Sequence, residues 1–270
     1  MAIVGVPGWI GSSAVTETGQ RWMSAARTAV FLTNPGFMSA MAGKSKEVNT
    51  SLTIGANNAY ANATLITAAN AIANRSITNL TITVTGIVVS NTTGAPCLNF
   101  SAAPFNEFKS VKLIINSGAG VYGRGGTGGA STASNNVKAG GAGGVAITNS
   151  IGTKLQITNS GTIAGGGGGG GGGVVRQVIT NGQTILTFLG GAGGRPLGAG
   201  GASQSGAIVG ASGTVAAPGA GNAGSGAGGN LGSAGAAGGN GGGAGGAAGA
   251  ALNGSAPTWA ALGTINGSRL

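Results

Sequence analysis

The sequence predicts a mainly irregular and β chain of two domains. The first, residues 1–117, carries a short helix and a β-coil. The second, residues 118–270, is a bundle of packed polyglycine-II helices joined by loops and a β-hairpin, and it ends in a C-terminal tail. Three observations carry this reading. Glycine is 61 of 270 residues, where about 7% is ordinary, and its distribution is uneven: nine fall in 1–117, 49 in 118–249 and three in 250–270. A short strand-like motif recurs around the boundary. One insert among the glycines has the pattern of a hairpin.

Taken in order, the first 50 residues open on the apolar run MAIVGVPGWIG and continue into a predicted helix over 16–32. Trp22, Ala25, Ala26, Ala29, Val30 and Phe31 recur there at three- and four-residue spacing, and Pro35-Gly36 close it. Trp9, Trp22, Met23, Phe31, Phe37, Met38 and Met41 all lie in this short stretch. They form either an ordinary core or an adhesive face for another protein, because so small a segment buries few large side chains unaided.

Residues 76–117 read as β-structure. Thr81-Ile-Thr-Val-Thr85 alternates with period two, and 111–115 is a second strand. Leu80-Thr-Ile-Thr-Val-Thr-Gly86, Lys112-Leu-Ile-Ile-Asn-Ser-Gly118 and Lys154-Leu-Gln-Ile-Thr-Asn-Ser-Gly161 are variants of one motif, echoed by Ile147-Thr-Asn-Ser150. Short repeated strands with Asn and Gly corners predict stacked β-coils.

Pro plus Gly reaches 68 of 270 residues, which approaches the composition of disordered sequence. Disordered chains, however, are rich in charge, Ser, Gln and Pro, and here the glycine runs are cut abruptly by β patterns. Polyglycine in helix or sheet is costly in entropy and has no side chain to pack. Polyproline-II geometry is open to it, with three residues per turn and about 3.1 Å rise. The unbroken nine glycines of 165–173 would then make a rod of about 28 Å. Such a rod has no internal hydrogen bonds, so its N–H and C=O groups need partners in neighbouring rods. Only glycine allows backbones so close on every side. Interleaved alanines should therefore face outward, and the bundle should need the first domain as a folding platform.

The connections between glycine runs are where chemistry can vary. Residues 130–139 form one loop, with Asn135, Asn136, Val137 and Lys138. Residues 174–189 hold Arg176, Val178, Ile179, Asn181, Ile185, Leu186 and Phe188, with Asn181-Gly182 as the hairpin signal. Val178, Ile185 and Phe188 could instead pack inward and brace the bundle. Further connectors are 195–197, 202–209 (with Gln204, Ile208 and Val209) and 214–218. Trp259 reads as a packing anchor in the tail.

Composition excludes several function classes. Lys plus Arg total 13, the only acids are Glu17, Glu47 and Glu107, and there is no Asp or His. The net charge of +10 reflects missing acids, and the cations are too scattered for a nucleic-acid groove. No Ser/His/Asp triad or His/carboxylate metal site can form, so the expectation is no catalytic residue, no metal and no cofactor. Gly118-Ala-Gly-Val-Tyr-Gly123 matches a dinucleotide fingerprint in spelling only, because no acid follows Glu107. Ala42-Gly-Lys-Ser45 lacks the first glycine of a phosphate loop, having Met38 there. Cys97 stands alone, so no internal disulfide is possible, and no signal peptide or membrane-spanning run is legible.

Met1-Ala-Ile-Val-Gly-Val-Pro-Gly-Trp-Ile-Gly11, Glu17-Thr-Gly-Gln-Arg-Trp-Met23 and the later glycine runs with dissimilar inserts together resemble the distal long-tail-fibre adhesins of T-even-type bacteriophages. The resemblance implies an N-terminal fibre-attachment domain docking on the trimeric long-tail-fibre protein through Trp9, Ile10, Trp22, Met23 and Phe31. It implies receptor contact through the inserts 130–139 and 174–189, with 202–209 and 214–218 as further candidates: Asn135, Asn136, Val137 and Lys138; Arg176, Val178, Ile179, Asn181, Ile185, Leu186 and Phe188; Gln204, Ile208 and Val209. The receptor would be a Gram-negative outer-membrane protein, a porin by expectation, with lipopolysaccharide as a further candidate. The protein would be made in the host cytoplasm and end at the fibre's distal tip in the virion. The alternatives are a structural glycine-rich fibre or surface protein, and a tail-fibre assembly chaperone.

Overall fold

The computed structural model describes residues 3, 10–30, 32–44, 47–100, 103–132, 137–178, 182–204 and 208–269. It falls into two compact units. The first is Met1–Thr50, Ala73–Leu80 and Glu107–Ser110, and the second is Ser51–Ile72, Thr81–Asn106 and Val111–Leu270. The jump in glycine content near 117 therefore lies inside the second unit.

In the first unit the single helix expected over 16–32 is two: α1 (Ile10–Thr18) and α2 (Met23–Ala29). Gly19, at φ +70°, takes the left-handed conformation that ends α1, and its N–H donates to the Val15 carbonyl at 2.8 Å. Trp22 is then extended (φ −93°, ψ 133°) before α2 begins. Apolar spacing ran on across the break, and the glycine decided it. Ile3, Ala14, Ala26, Val30 and Met41 form a buried cluster with Leu32 against it. The buried Arg27 is held by backbone carbonyls, its guanidinium donating to Thr33 (3.1 and 2.5 Å) and Phe37 (2.7 Å). Arg75 pairs with Glu107 at 2.7 Å, and Lys109 with Glu47.

Most of the predicted β-coil belongs to the second unit, and the first residues of the three strands that begin at Val48, Thr78 and Ser110 lie in the first. One sheet is built from β1 (Val48–Ile54), β3 (Thr78–Val84), β6 (Ser110–Ile115), β9 (Leu155–Asn159) and β14 (Thr258–Ala261). A second has β2 (Asn57–Tyr60), β4 (Ile87–Ser90), β7 (Gly120–Tyr122), β10 (Thr162–Ala164) and β15 (Thr264–Asn266). A third has β5 (Leu98–Phe100), β8 (Ile147–Asn149) and β13 (Leu252–Gly254). From β3 onward, a strand of the first sheet is followed along the chain by one of the second and then one of the third; in the first round a helix stands between β2 and β3. Pairing is parallel, for instance Val111↔Leu155 and Leu113↔Ile157, Val88↔Val121, and Ile147↔Leu252. The chain thus winds as a coil. Helix α3 (Asn62–Asn70) packs on it, burying Leu65 and Ala69.

The repeated motifs are successive strands of the first sheet. Their alternation points every second residue inward, so Ile82, Val84, Val111, Leu113, Ile115, Leu155 and Ile157 are all buried. The Asn corners are held by side-chain bonds. Asn159 is buried; its amide donates to the Leu262 (2.6 Å) and Thr264 (3.2 Å) carbonyls, and its Oδ1 accepts from the Gly161 N–H at 3.0 Å. Asn149 does the same in the third sheet, toward Ser255 and Ile151. The C-terminal tail is the last strand of each sheet, and Trp259, half-buried and in register with Ile157, is a packing residue there.

The glycine segments leave the coil between its second and third sheets. Residues 123–146 connect β7 to β8, and 165–251 connect β10 to β13. Their hydrogen bonds have a period of three. In the run 165–172, the N–H groups of Gly166, Gly169 and Gly172 donate to Gly144, Gly141 and Lys138. Those of Gly167 and Gly170 donate to Arg195 and Ala192, and those of Gly168 and Gly171 to Ser233 and Ala236. Its carbonyls accept from three other segments: Gly126 and Gly129; Gly229 and Gly226; Gly246, Gly243 and Gly249. Every backbone group in the run is thereby served by neighbouring chain, with six segments around one. A Cβ on Gly166, Gly168 or Gly170 would overlap the carbonyl of Arg124, Gly246 or Gly226. Ala139, Ala142, Ala234, Ala237, Ala244 and Ala247 are exposed, as expected, while Ala192 is buried inside.

Candidate functional site

The bundle has two ends, and hydrogen-bond direction assigns each connector to one of them. Run 165–172 starts where β10 leaves the coil and ends at the hairpin β11 (Gly173–Val178) and β12 (Thr184–Leu189). The hairpin therefore sits at the end far from the coil. Segment 123–129 lies parallel to that run, and 138–144 and 190–195 antiparallel. By the same reasoning the reversals 130–138, 202–209, 222–225 and 238–242 are at the far end. Those at 195–198, 214–218 and 230–233 are at the coil end.

The far-end connectors are joined to one another. Ser131, buried, bridges both Val137 and Ser203, and its hydroxyl donates to the Gly173 carbonyl at 3.0 Å. The Gly190 N–H donates to Ile208 at 3.2 Å. The Asn240 amide donates to the Val174 carbonyl at 3.0 Å, and Gly239 donates to Gly224 at 2.9 Å. Loops remote in sequence thus form one surface on a backbone-bonded frame, which keeps their geometry fixed.

Of the predicted loop residues, Lys138 and Gln204 are exposed, Val137 and Ile208 half-buried, and Val209 is 50% exposed. On the hairpin, Ile185 and Leu186 are exposed whereas Val174, Phe188 and Leu189 are buried. The structure divides the hairpin between the two readings the sequence allowed: its base braces the bundle and its outer part faces solvent. Phe188 therefore leaves the contact set and joins the core. Arg176 and Val178 lie on β11, across from Leu186 and Thr184. Asn135, Asn136, Ile179 and Asn181 lie outside the described residues. Connectors 195–197 and 214–218 belong to the other end, where Arg195 donates to Val215 (2.8 Å) and Asn230 (3.0 Å) and ties three turns together.

Sequence reading missed the turns 222–225 and 238–242. Their signal was present: among the glycines and alanines of 219–249 the asparagines are Asn222, Asn230 and Asn240, and each marks a reversal. Asn240 takes φ +51° there.

In the first unit a second surface stands out. Trp22 (79%) and Phe37 (85%) are the most exposed large apolar side chains of the described residues, with Met23, Met38 and Val15 also exposed. Val15, Trp22, Met23 and Met38 line one shallow pocket with Met41. Ile10 starts α1, and Trp9 and Phe31 lie outside the described residues.

Among the described residues there is no cluster of metal-ligating side chains, and no helix is long and apolar enough to cross a membrane. The dinucleotide-like 118–123 contains strand β7 (Gly120–Tyr122), with no helix opening there. Cys97 is fully buried near the Val88 carbonyl, and burial pushes its thiol up to about 12, so it is no nucleophile.

The sequence matches the family model described as the phage tail fibre adhesin Gp38 N-terminal domain over residues 1–42. It matches the model of phage tail fibre adhesin Gp38 over residues 49–270. It is 40% identical over 214 residues to the receptor-recognizing protein gp38 of Salmonella phage S16, covering 79% of this chain and 77% of that protein. The fold is similar to a chain in the crystal structure of the gp37-gp38 adhesin tip complex of the bacteriophage S16 long tail fiber. The TM-score is 0.71 and the identity 38%, with 100% of both chains covered.

Proposed function

Because this chain belongs to the Gp38 family of phage tail fibre adhesins, receptor-recognising virion proteins and not enzymes, we propose how its two surfaces divide that task. The far end of the glycine bundle is the receptor-binding face. Its contacts are made by Val137, Lys138, Ile185, Leu186, Gln204, Ile208 and Val209, with Asn135, Asn136, Arg176, Val178, Ile179 and Asn181 on the same connectors. The single observation that carries this is convergence: connectors separated by up to about a hundred residues meet at one end and bond to each other.

The exposed apolar surface of the first unit, with Trp22 and Met23, docks on the trimeric long-tail-fibre protein, and Trp9, Ile10 and Phe31 are the further docking residues that the family resemblance implies. A Trp and neighbouring Met side chains left in water are the usual anchors of such interfaces. The likeness to a chain of a gp37-gp38 complex supports it. In functional terms residues 1–117 attach and 118–270 recognise. The period-three bonding with six neighbours supports reading the bundle as polyglycine-II helices. The protein is made in the host cytoplasm and stands at the distal tip of the fibre. Its receptor is an outer-membrane protein of the porin class, with lipopolysaccharide as an accessory contact. A purely structural glycine-rich protein would have short, uniform connectors, and the hairpin 173–189 is neither.

The test is adsorption of particles carrying this protein to Gram-negative host cells that lack one porin at a time. Adsorption should vanish with one porin, and again when 174–189 is exchanged for a relative's hairpin. Adsorption indifferent to the exchange would remove the far end as the receptor face. Trp22→Ala should separately release the protein from the fibre without changing its fold.

A further inference from the structure

We infer that the surface met by the far end is a protein segment that is acidic, carries apolar side chains and lacks lysine and arginine. This rests on the far-end reading above and names the chemistry of its partner. The argument begins with where charge is missing. All three acids, Glu17, Glu47 and Glu107, precede residue 118, so nothing from 118 to 269 carries a carboxylate. The five cations of 118–249 are then split by position. Lys154 donates to the Asn106 carbonyl (2.7 Å) in the coil. Arg124 donates to the Ser90 carbonyl (3.3 Å) of the coil, and Arg195 is bound at the coil end. Lys138 is exposed on the far end, and Arg176 is carried by the far-end hairpin.

Lys138 is presented on fixed backbone: its N–H donates to Ala130 at 2.8 Å and its carbonyl accepts from Gly172 at 3.1 Å. The same far-end connectors carry exposed aliphatics, Ile185 at 47%, Leu186 at 38% and Val209 at 50%. The aromatic ring of the hairpin, Phe188, is turned into the core. Two positive charges with no acid to offset them repel any cationic partner and draw an anionic one. A partner with basic residues is excluded, which makes the missing acids a specificity device. The aliphatic patch needs an apolar counterpart, which a sugar-phosphate surface does not supply and an acidic loop with aromatic or aliphatic side chains does.

The experiment measures adsorption of particles with the full protein on their fibres, using intact host cells at 20, 150 and 500 mM NaCl. Lys138→Glu should slow adsorption at least about tenfold at low salt and Lys138→Gln about threefold, both effects shrinking as salt rises. Ala216→Glu, the same charge change at an exposed coil-end position, should leave adsorption unchanged, and the thermal transitions of all three should match the parent. Host mutants that restore adsorption of Lys138→Glu should carry an Asp or Glu changed to Lys in a surface protein. Parental rates for both Lys138 variants, with adsorption still lost on exchange of 174–189, would overturn the acidic partner and leave the far end as the receptor face. If the exchange is also silent, both readings fall. Adsorption that persists on protease-stripped cells and is competed by purified lipopolysaccharide would assign the anion to phosphate and overturn the protein partner.

Discussion

Coil and bundle share one compact unit but are held together by opposite means. In the coil, inward side chains such as Ile82, Val111, Leu113 and Ile157 are stacked and buried, each contributing about 1.5–3 kcal/mol on burial. In the bundle there are almost no side chains to bury, and the central glycines are held by N–H to C=O bonds with surrounding segments. Each such bond is worth about 0.5–1.5 kcal/mol net, against about 1–2 kcal/mol for ordering each residue. A coil strand can be stabilised piecemeal, whereas the bundle holds only as a whole. The division suits an adhesin: a frame made of backbone places no demands on the connectors it carries, so their side chains are free to serve recognition.

The comparison breaks most severely with an insertion. One extra glycine between Gly168 and Gly169 shifts every later residue of the run by one third of the bonding period, since partners repeat every three residues. The N–H groups that served Gly141, Ala192 and Ala236 would then face the wrong segments. Three extra glycines restore the phase and only lengthen the run at its far end. The single insertion should abolish the folded bundle, read as rapid proteolytic cutting within 165–250, while the triple insertion resists. Equal sensitivity of the two would show that the period-three bonding does not govern the bundle.

Next in size is a methyl group. Gly168→Ala places a Cβ against the Gly246 carbonyl, backbone that cannot step aside. Overpacking of this kind costs about 3 kcal/mol, and the change should appear as a fall of several degrees in the melting temperature of the purified protein. In the coil the comparable damage comes from removing a side chain. Asn159→Ala strips the Leu262 and Thr264 carbonyls and the Gly161 N–H of their buried partner. The expected loss is about 2–3 kcal/mol in urea denaturation, and an unchanged midpoint would mean that packing alone holds the corners.

How much of this was legible follows the same division. The coil could be read because its repeats carry alternating apolar residues and Asn corners, signals written in side chains. The bundle could be read as a class, since nine consecutive glycines admit few ordered states. The ends of its connectors could not, because glycine runs of similar length give no clue to direction; only the bonds of Gly166 to Gly172 orient them. The helix over 16–32 failed at Gly19, where one residue's positive φ outweighed the spacing around it. Phe188 was placed on the contact surface because strand alternation gives two faces without saying which one is buried.

A smaller effect separates the regions by pH. Burial raises Cys97 from 9.0 to about 12 and Tyr60 from 10.0 to about 12, and both belong to the coil side of the unit. Both groups are neutral when protonated, so the unfolded chain ionises first as pH rises. Their stabilisation is complete below about pH 9 and is lost between about 9 and 12. From pH 8 to 10.5 the Cys97 contribution should fall by about 1–2 kcal/mol. Cys97→Ala should flatten that slope in paired urea titrations, and a slope unchanged by the substitution would place the alkaline loss elsewhere.

The smallest change sharpens the comparison by reversing its sign. Gly55, at the turn between β1 and β2, is exposed, and a Cβ there would meet nothing within 4 Å. Its φ lies outside the left-handed region that favours glycine. Alanine therefore adds no strain to the folded state and removes freedom from the unfolded chain, a gain of about 0.4–1 kcal/mol. The same substitution should thus stabilise at 55 and destabilise at 168. Calorimetry of both variants against the parent decides it. Two shifts of the same sign would mean that glycine in the bundle is chosen for chain entropy, as at any loop, and not for the room its neighbours leave.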